Sequence, residues 1–167
     1  MKNNRKIVFI IINNIIFVIL FLFLTIKNNA KSQTITITET SQMSFGAFAS
    51  GLYSGTVSTD GIESGGVIVI QNINNIDNAK ASSLEVIGTP NEDFRLIINE
   101  GINTANLTHT DNITTMELTF AGSIVRDLVI NPVGLRIETI DGTLSVNASQ
   151  KPGLYSGSYT ISVAYIN

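Results

Sequence analysis

From residue 33 onwards this sequence predicts an all-β protein, an antiparallel β-sandwich or barrel, preceded by an N-terminal signal peptide. Three observations predict it. Short runs alternate apolar and polar residues, clusters of Asn, Gly and Ser separate those runs, and no window of 11 or more residues keeps helical spacing.

Met1 to Lys6 carries Lys2, Arg5 and Lys6, and Ile7 to Ile26 is apolar except for Asn13, Asn14 and Thr25. Ala30-Lys31-Ser32 then offers a small-x-small site. A basic start, an apolar core and such a site form a secretory signal, with cleavage expected after Ser32. The alternative is an uncleaved anchor, since the apolar run is long, but two amides near its middle are costly in hydrocarbon. The expected division is signal peptide 1–32 and one sandwich domain 33–167, a length that suits a single core.

The strands follow in order. Thr34 to Thr38 alternates strictly. Val67-Ile68-Val69-Ile70 is a continuous apolar run, expected to be covered on both faces. Phe94, Leu96 and Ile98 alternate with Arg95, Ile97 and Asn99, and Met116, Leu118 and Phe120 with Glu117 and Thr119. Tyr159, Ile161, Val163 and Tyr165 close the series. Ser58 to Gly66, Asn72 to Asn78 and Asn103 to Asn112 are expected as turns and loops, and Lys80 to Val86 as no more than a helical turn. Asp141-Gly142 suits a two-residue hairpin in which both central residues take positive φ. That turn sets Leu135, Ile137, Leu144, Val146 and Ala148 on one face, and Arg136, Glu138, Ser145 and Asn147 on the other. Asp60-Gly61 is a weaker hairpin signal, because its flanks are polar.

Charge is unevenly divided. After Ser32, five basic residues (Lys80, Arg95, Arg126, Arg136 and Lys151) stand against all 13 acidic ones, a net charge of −8. Such a domain is ill suited to nucleic acid or an anionic membrane, so the only membrane association expected is through an uncleaved signal segment. The chain has no cysteine, which excludes disulfides, thiolate metal sites and cysteine nucleophiles.

Candidate chemistry is sparse. His109, the one histidine, lies in Asn106 to Asn112 near Asp111, but no nucleophile elbow accompanies it, and an exposed loop histidine is expected. Glu92-Asp93 and the Asp60/Glu63 pair lack calcium-loop spacing, and adjacent loop carboxylates do not make a glycosidase pair. Ser64-Gly65-Gly66 lacks a phosphate-binding pattern and suits a turn or bulge before Val67. Tyr53 and Tyr155 are the aromatics that would contribute to a sugar platform. No catalytic, cofactor or metal residue is expected. The segments suited to strand exchange carry Ile35 and Ile37 at the amino end and Tyr159, Ile161, Val163 and Tyr165 at the carboxy end.

The run Gln150 to Tyr165 resembles the ending of the bacterial "domain of unknown function 4402" family of exported proteins, Q-x-x-G-x-Y-S-G-x-[FY]-x-[IV]-x-V-x-Y. Phe45-Gly46, Gly55-Thr56-Val57, Gly61, Ser64-Gly65-Gly66-Val67, Val86-Ile87-Gly88 and Gly142-Thr143-Leu144 fit in order. Asp141 stands where the family usually has glycine, and Leu84 where it usually has phenylalanine. The resemblance implies an Ig-like sandwich, pilin-like in style, and supplies no catalytic residues.

The function expected is therefore a non-enzymatic exported structural or adhesive protein, in the periplasm, at the outer surface or outside the cell. It would be a fimbrial-type subunit joined by strand addition to copies of itself or to related surface subunits. The alternative is a monomeric secreted carbohydrate- or calcium-binding module.

Overall fold

The computed structural model of the chain describes residues 33–70 and 79–166. The signal segment expected at Met1 to Ser32 and the loop expected at Asn72 to Asn78 lie outside the described residues. In chain order the strands are β1 (Thr36–Ser41), β2 (Ser44–Phe45), β3 (Ala47–Ser58), β4 (Glu63–Ile70), β5 (Ala79–Lys80), β6 (Ser82–Ile87) and β7 (Asp93–Ile98). There follow β8 (Thr104–His109), β9 (Thr115–Phe120), β10 (Val125–Val129), β11 (Leu135–Ile140), β12 (Gly142–Val146), β13 (Tyr155–Ser156) and β14 (Ile161–Tyr165). One turn of 3-10 helix, Asn99–Gly101, joins β7 to β8. Among the described residues no helix is long and apolar enough to cross a membrane.

The strands form four sheets, in the orders β1-β6-β11, β10-β7-β14, β13-β8-β9-β12-β3-β4 and β2-β5. Every pairing recorded is antiparallel. Period-2 alternation aims one face of each strand inward. β6 sends in Leu84 and Val86, β7 sends in Phe94, Leu96 and Ile98, and β9 sends in Met116, Leu118 and Phe120. With Val57, Val67, Ile130, Ile140, Leu144 and Val146 they make one core shared by all the sheets, Phe45 of β2 included. At about 2 kcal/mol per buried large apolar side chain, this burial is the main stabilising term in a chain without cross-links.

The two three-stranded sheets meet each other at seams closed by side chains. Between β10 and β11, Arg126 donates to the carbonyls of Ser123 and Thr139 and pairs with Glu138 at 3.3 Å. Arg136 pairs with the same Glu138 at 2.6 Å. Between β1 and β14, the Tyr165 hydroxyl donates to the Thr34 carbonyl at 3.3 Å and accepts from the Thr89 amide at 2.6 Å.

The structure corrects several sequence expectations. Asp141-Gly142 does not close a hairpin: β11 pairs with β6, whereas β12 pairs with β3 and β9 in a different sheet. Neither Asp141 nor Gly142 takes positive φ. Gly142 is needed for closeness instead, because a Cβ there would stand 2.5 Å from Leu118 Cδ1. The face assignment for β11 reverses with it. Arg136 and Glu138 share a face with Val86 and Leu84, and Ile137 is half exposed. Inward charge is tolerated because β11 is an edge strand and Arg126 completes the ion pairs. Asp60-Gly61, the weaker signal, does turn β3 into β4, with Gly61 at φ 78° and its amide on the Ser58 carbonyl.

Val67 to Ile70 is covered on one face only. β4 is an edge strand, and Ile68 and Ile70 lie in solvent while Val67 is buried. Lys80 to Val86 is strand rather than a helical turn, and Asn103 to Asn112 contains β8 rather than being all loop.

Candidate functional site: a groove walled by the carboxy-terminal motif

The site is built from two stretches of chain that face each other. One wall is Gln42 to Ser50, which carries Met43, Phe45 and Phe48; the other is Ser149 to Tyr159. Leu107, Met116, Leu118 and Leu144 underlie the gap, which encloses about 1200 Å³. Among the described residues, Glu39 and Lys151 are the only charged ones lining it.

The second wall is held by His109. This residue ends β8 and is 7% exposed, so the expected solvent-exposed loop histidine is in fact buried. The Asp111 amide donates to its Nδ1 at 3.1 Å, and its Nε2 lies 3.2 Å from the Pro152 carbonyl. Nδ1 also lies 3.1 Å from Asp111 Oδ1, so both ring nitrogens have polar partners within the fold. Tyr155 packs on the same ring with centroids 4.9 Å apart, and its hydroxyl donates to the Lys151 carbonyl at 2.8 Å. Gln150 Nε2 donates to that hydroxyl at 2.9 Å, and the Gln150 carbonyl accepts from Ser50 Oγ at 3.3 Å.

Glycine is forced at two points of this wall. A Cβ at Gly153, which has φ 148°, would sit 2.1 Å from His109 Nε2. One at Gly157 would sit 2.6 Å from the Asn106 carbonyl.

Asp111 secures the turn below. Its carboxylate accepts from the amides of Ile113 and Thr114 at 2.9 Å and from Lys151 Nζ at 2.8 Å. The Lys151 ammonium first, then the Thr114 and Ile113 amides, hold this carboxyl far below the usual carboxylate range. Stability from a depressed carboxylate is fully present above the ordinary aspartate pKa of about 3.9 and declines progressively as pH falls from there to the lower folded value. The Ile113 and Thr114 amide resonances are therefore expected to hold their positions as pH is lowered from 5 to 3. Movement with a midpoint near 4 would show an unperturbed carboxyl.

Residues 35–165 match a family described as a domain of unknown function, DUF4402. The chain belongs to that family. No curated protein and no solved structure matches it. For this DUF4402 chain the carboxy-terminal motif reads as a clamp. Gln150 ties the wall to Ser50 and Tyr155, Gly153 and Tyr155 enclose His109, and Gly157 lets the chain pass Asn106.

The remaining sequence candidates disperse. Ile35 precedes β1 and Ile37 lies within it, both packed part-buried on the core. Ile161, Val163 and Tyr165 do the same from β14, opposite Ile98, Leu96 and Phe94. Tyr159 packs edge-on to Phe120 at 5.2 Å, and burial pushes its phenol up. Tyr53 is exposed on β3 while Tyr155 is committed to His109, so the two do not form one platform. Asp60 is held by Ser58, which lowers its carboxyl, and Glu92 is exposed in the turn before β7, which Asp93 opens. Among the described residues no group of three or more His, Cys, Asp or Glu is placed to hold a metal. Sequence reasoning missed the groove, because its walls come from opposite ends of the domain.

Proposed function

We propose that this protein is a non-enzymatic exported structural or adhesive surface subunit that joins its neighbours by β-strand addition. The observation that carries the reading is the position of β1. Among the described residues it is an edge strand that pairs with β6 alone, and a two-residue link, Gln42–Met43, connects it to β2. Its Ile37 lies opposite Val86 and its Glu39 opposite Leu84, both partners fully buried. Removing β1 would open an unpaired β6 edge above that core. The same segment of a second copy would restore every lost contact, main chain to main chain. Exchange of an identical element is a low-cost route to assembly.

The test is a mature domain lacking Gln33–Ser41, mixed with a synthetic peptide of that sequence. The shortened domain is expected to bind the peptide at its β6 edge and to be less stable without it. A shortened domain that stays a folded monomer and ignores the peptide would overturn strand addition.

A further inference from the structure

The longest strand carries a distortion that the fold does not require. Between Ser50, opposite Val67, and Gly55, opposite Gly65, four residues of β3 stand against one of β4. Four glycines make this possible. A Cβ would lie 2.9 Å from the Gly66 carbonyl oxygen at Gly51 and 2.1 Å from that of Ser64 at Gly55. At Gly65 it would lie 2.4 Å from the Ser54 oxygen, and at Gly66 2.2 Å from the Tyr53 oxygen. The product of the bulge is two adjacent large side chains in solvent, Leu52 at 83% and Tyr53 at 77% exposure. Exposed apolar groups add no folding stability, whereas bulges re-aim side chains toward partners. Leucine beside tyrosine suits an apolar anchor with a polar tip.

The groove begins where this projection ends. The Ser149 amide donates to the Gly51 carbonyl at 2.9 Å, and Ser50 and Ser149 both line the groove. Phe48, Leu107, Tyr155 and Ile161 supply its apolar surface. One face therefore carries an apolar projection and, beside it, an apolar depression. A two-fold axis needs that arrangement, since each copy must both give and receive. Charge favours the same partner. The domain carries a net −8, yet Gln42 to Thr59, which supplies one groove wall and carries the projection, has no charged residue. Two copies thus meet there without the repulsion that the rest of their surface imposes.

We infer that the Leu52-Tyr53 projection and the adjoining groove form a self-complementary surface joining two copies of this chain about a two-fold axis. The pairing does not depend on β1 exchange, because the β6 edge takes no part in it.

Sedimentation of the mature domain over a concentration series tests this, with L52S/Y53S as the probe; both positions are exposed, so the variant keeps its core. The wild type is expected to dimerise, with the dissociation constant raised at least tenfold in L52S/Y53S. The chain has no cysteine, so mixing Y53C protein with S158C protein is expected to give a disulfide between copies. A wild type that stays monomeric throughout overturns the inference, as does a dimer that L52S/Y53S leaves unchanged. A dimer lost on removing Gln33–Ser41 but kept in L52S/Y53S assigns association to strand exchange and overturns it too. A monomer whose groove resonances shift with an added peptide or glycan assigns the groove to that ligand instead.

Discussion

Replacing Phe94 with alanine is expected to cost about 3–5 kcal/mol, the range for an aromatic ring deleted from a packed core. Phe94 is fully buried in the middle strand of its sheet, with Leu128 of β10 on one side and Tyr165 of β14 on the other. Both neighbours are themselves only part-buried edge residues, so neither can collapse into the void without drawing its strand off β7. Total stabilities of small domains are about 5–15 kcal/mol, and here no disulfide limits the unfolded chain. Urea unfolding of Phe94→Ala measures the loss, and Phe94→Leu should recover most of it, at a cost of about 1.5 kcal/mol. A Phe94→Ala variant within 1 kcal/mol of wild type would mean that this core is not packed as described.

Gly153→Ala should be the second most damaging of the simple substitutions, at about 2–4 kcal/mol from backbone strain plus a lost buried hydrogen bond. At φ 148° an L side chain is strained, and the new Cβ would stand 2.1 Å from His109 Nε2. The loop must then lift, which breaks the Pro152 contact to His109 and loosens the Thr110 amide from the Leu154 carbonyl. A double-mutant cycle with His109→Ala separates the causes, because removing the imidazole removes the collision but not the strain. The pair should be less destabilised than the sum of the single variants by at least about 1 kcal/mol. Amide exchange should quicken at Thr110, Tyr155 and Ser156 while β7 stays protected. Strict additivity would place the cost in backbone strain alone.

The alternation of Phe94, Leu96 and Ile98, and of Met116, Leu118 and Phe120, was legible because a half-buried strand leaves a period of two whatever its partner is. Which strand pairs with which was not. Asp141-Gly142 satisfied turn chemistry and hydrophobic pattern together, yet β12 is claimed on both sides by β3 and β9. Two long-range ladders outweigh one local turn, and the glycine answered to Leu118 rather than to φ. Arg136 and Glu138 look solvent-facing in sequence, because Arg126, which pairs with Glu138, is twelve residues distant from it and in another sheet. His109 gave no sign of burial for the same reason. The atoms that satisfy its ring belong to Asp111 and to Pro152, and only the first is local. The family motif marked the right segment without revealing that its residues serve to hold a wall in place.

The hydrogen bond from Tyr165 to Thr34 places the entry to β1 and the exit from β14 at one pole of the domain. Force applied in opposite directions through those two ends would pull across the ladders at that pole, opening them one rung after another. Such a domain yields to traction by unzipping, at lower force than one whose terminal strands must slide past each other. The Tyr165 phenol and the Ile166 amide on the Asp93 carbonyl are the ties that traction would meet at that pole.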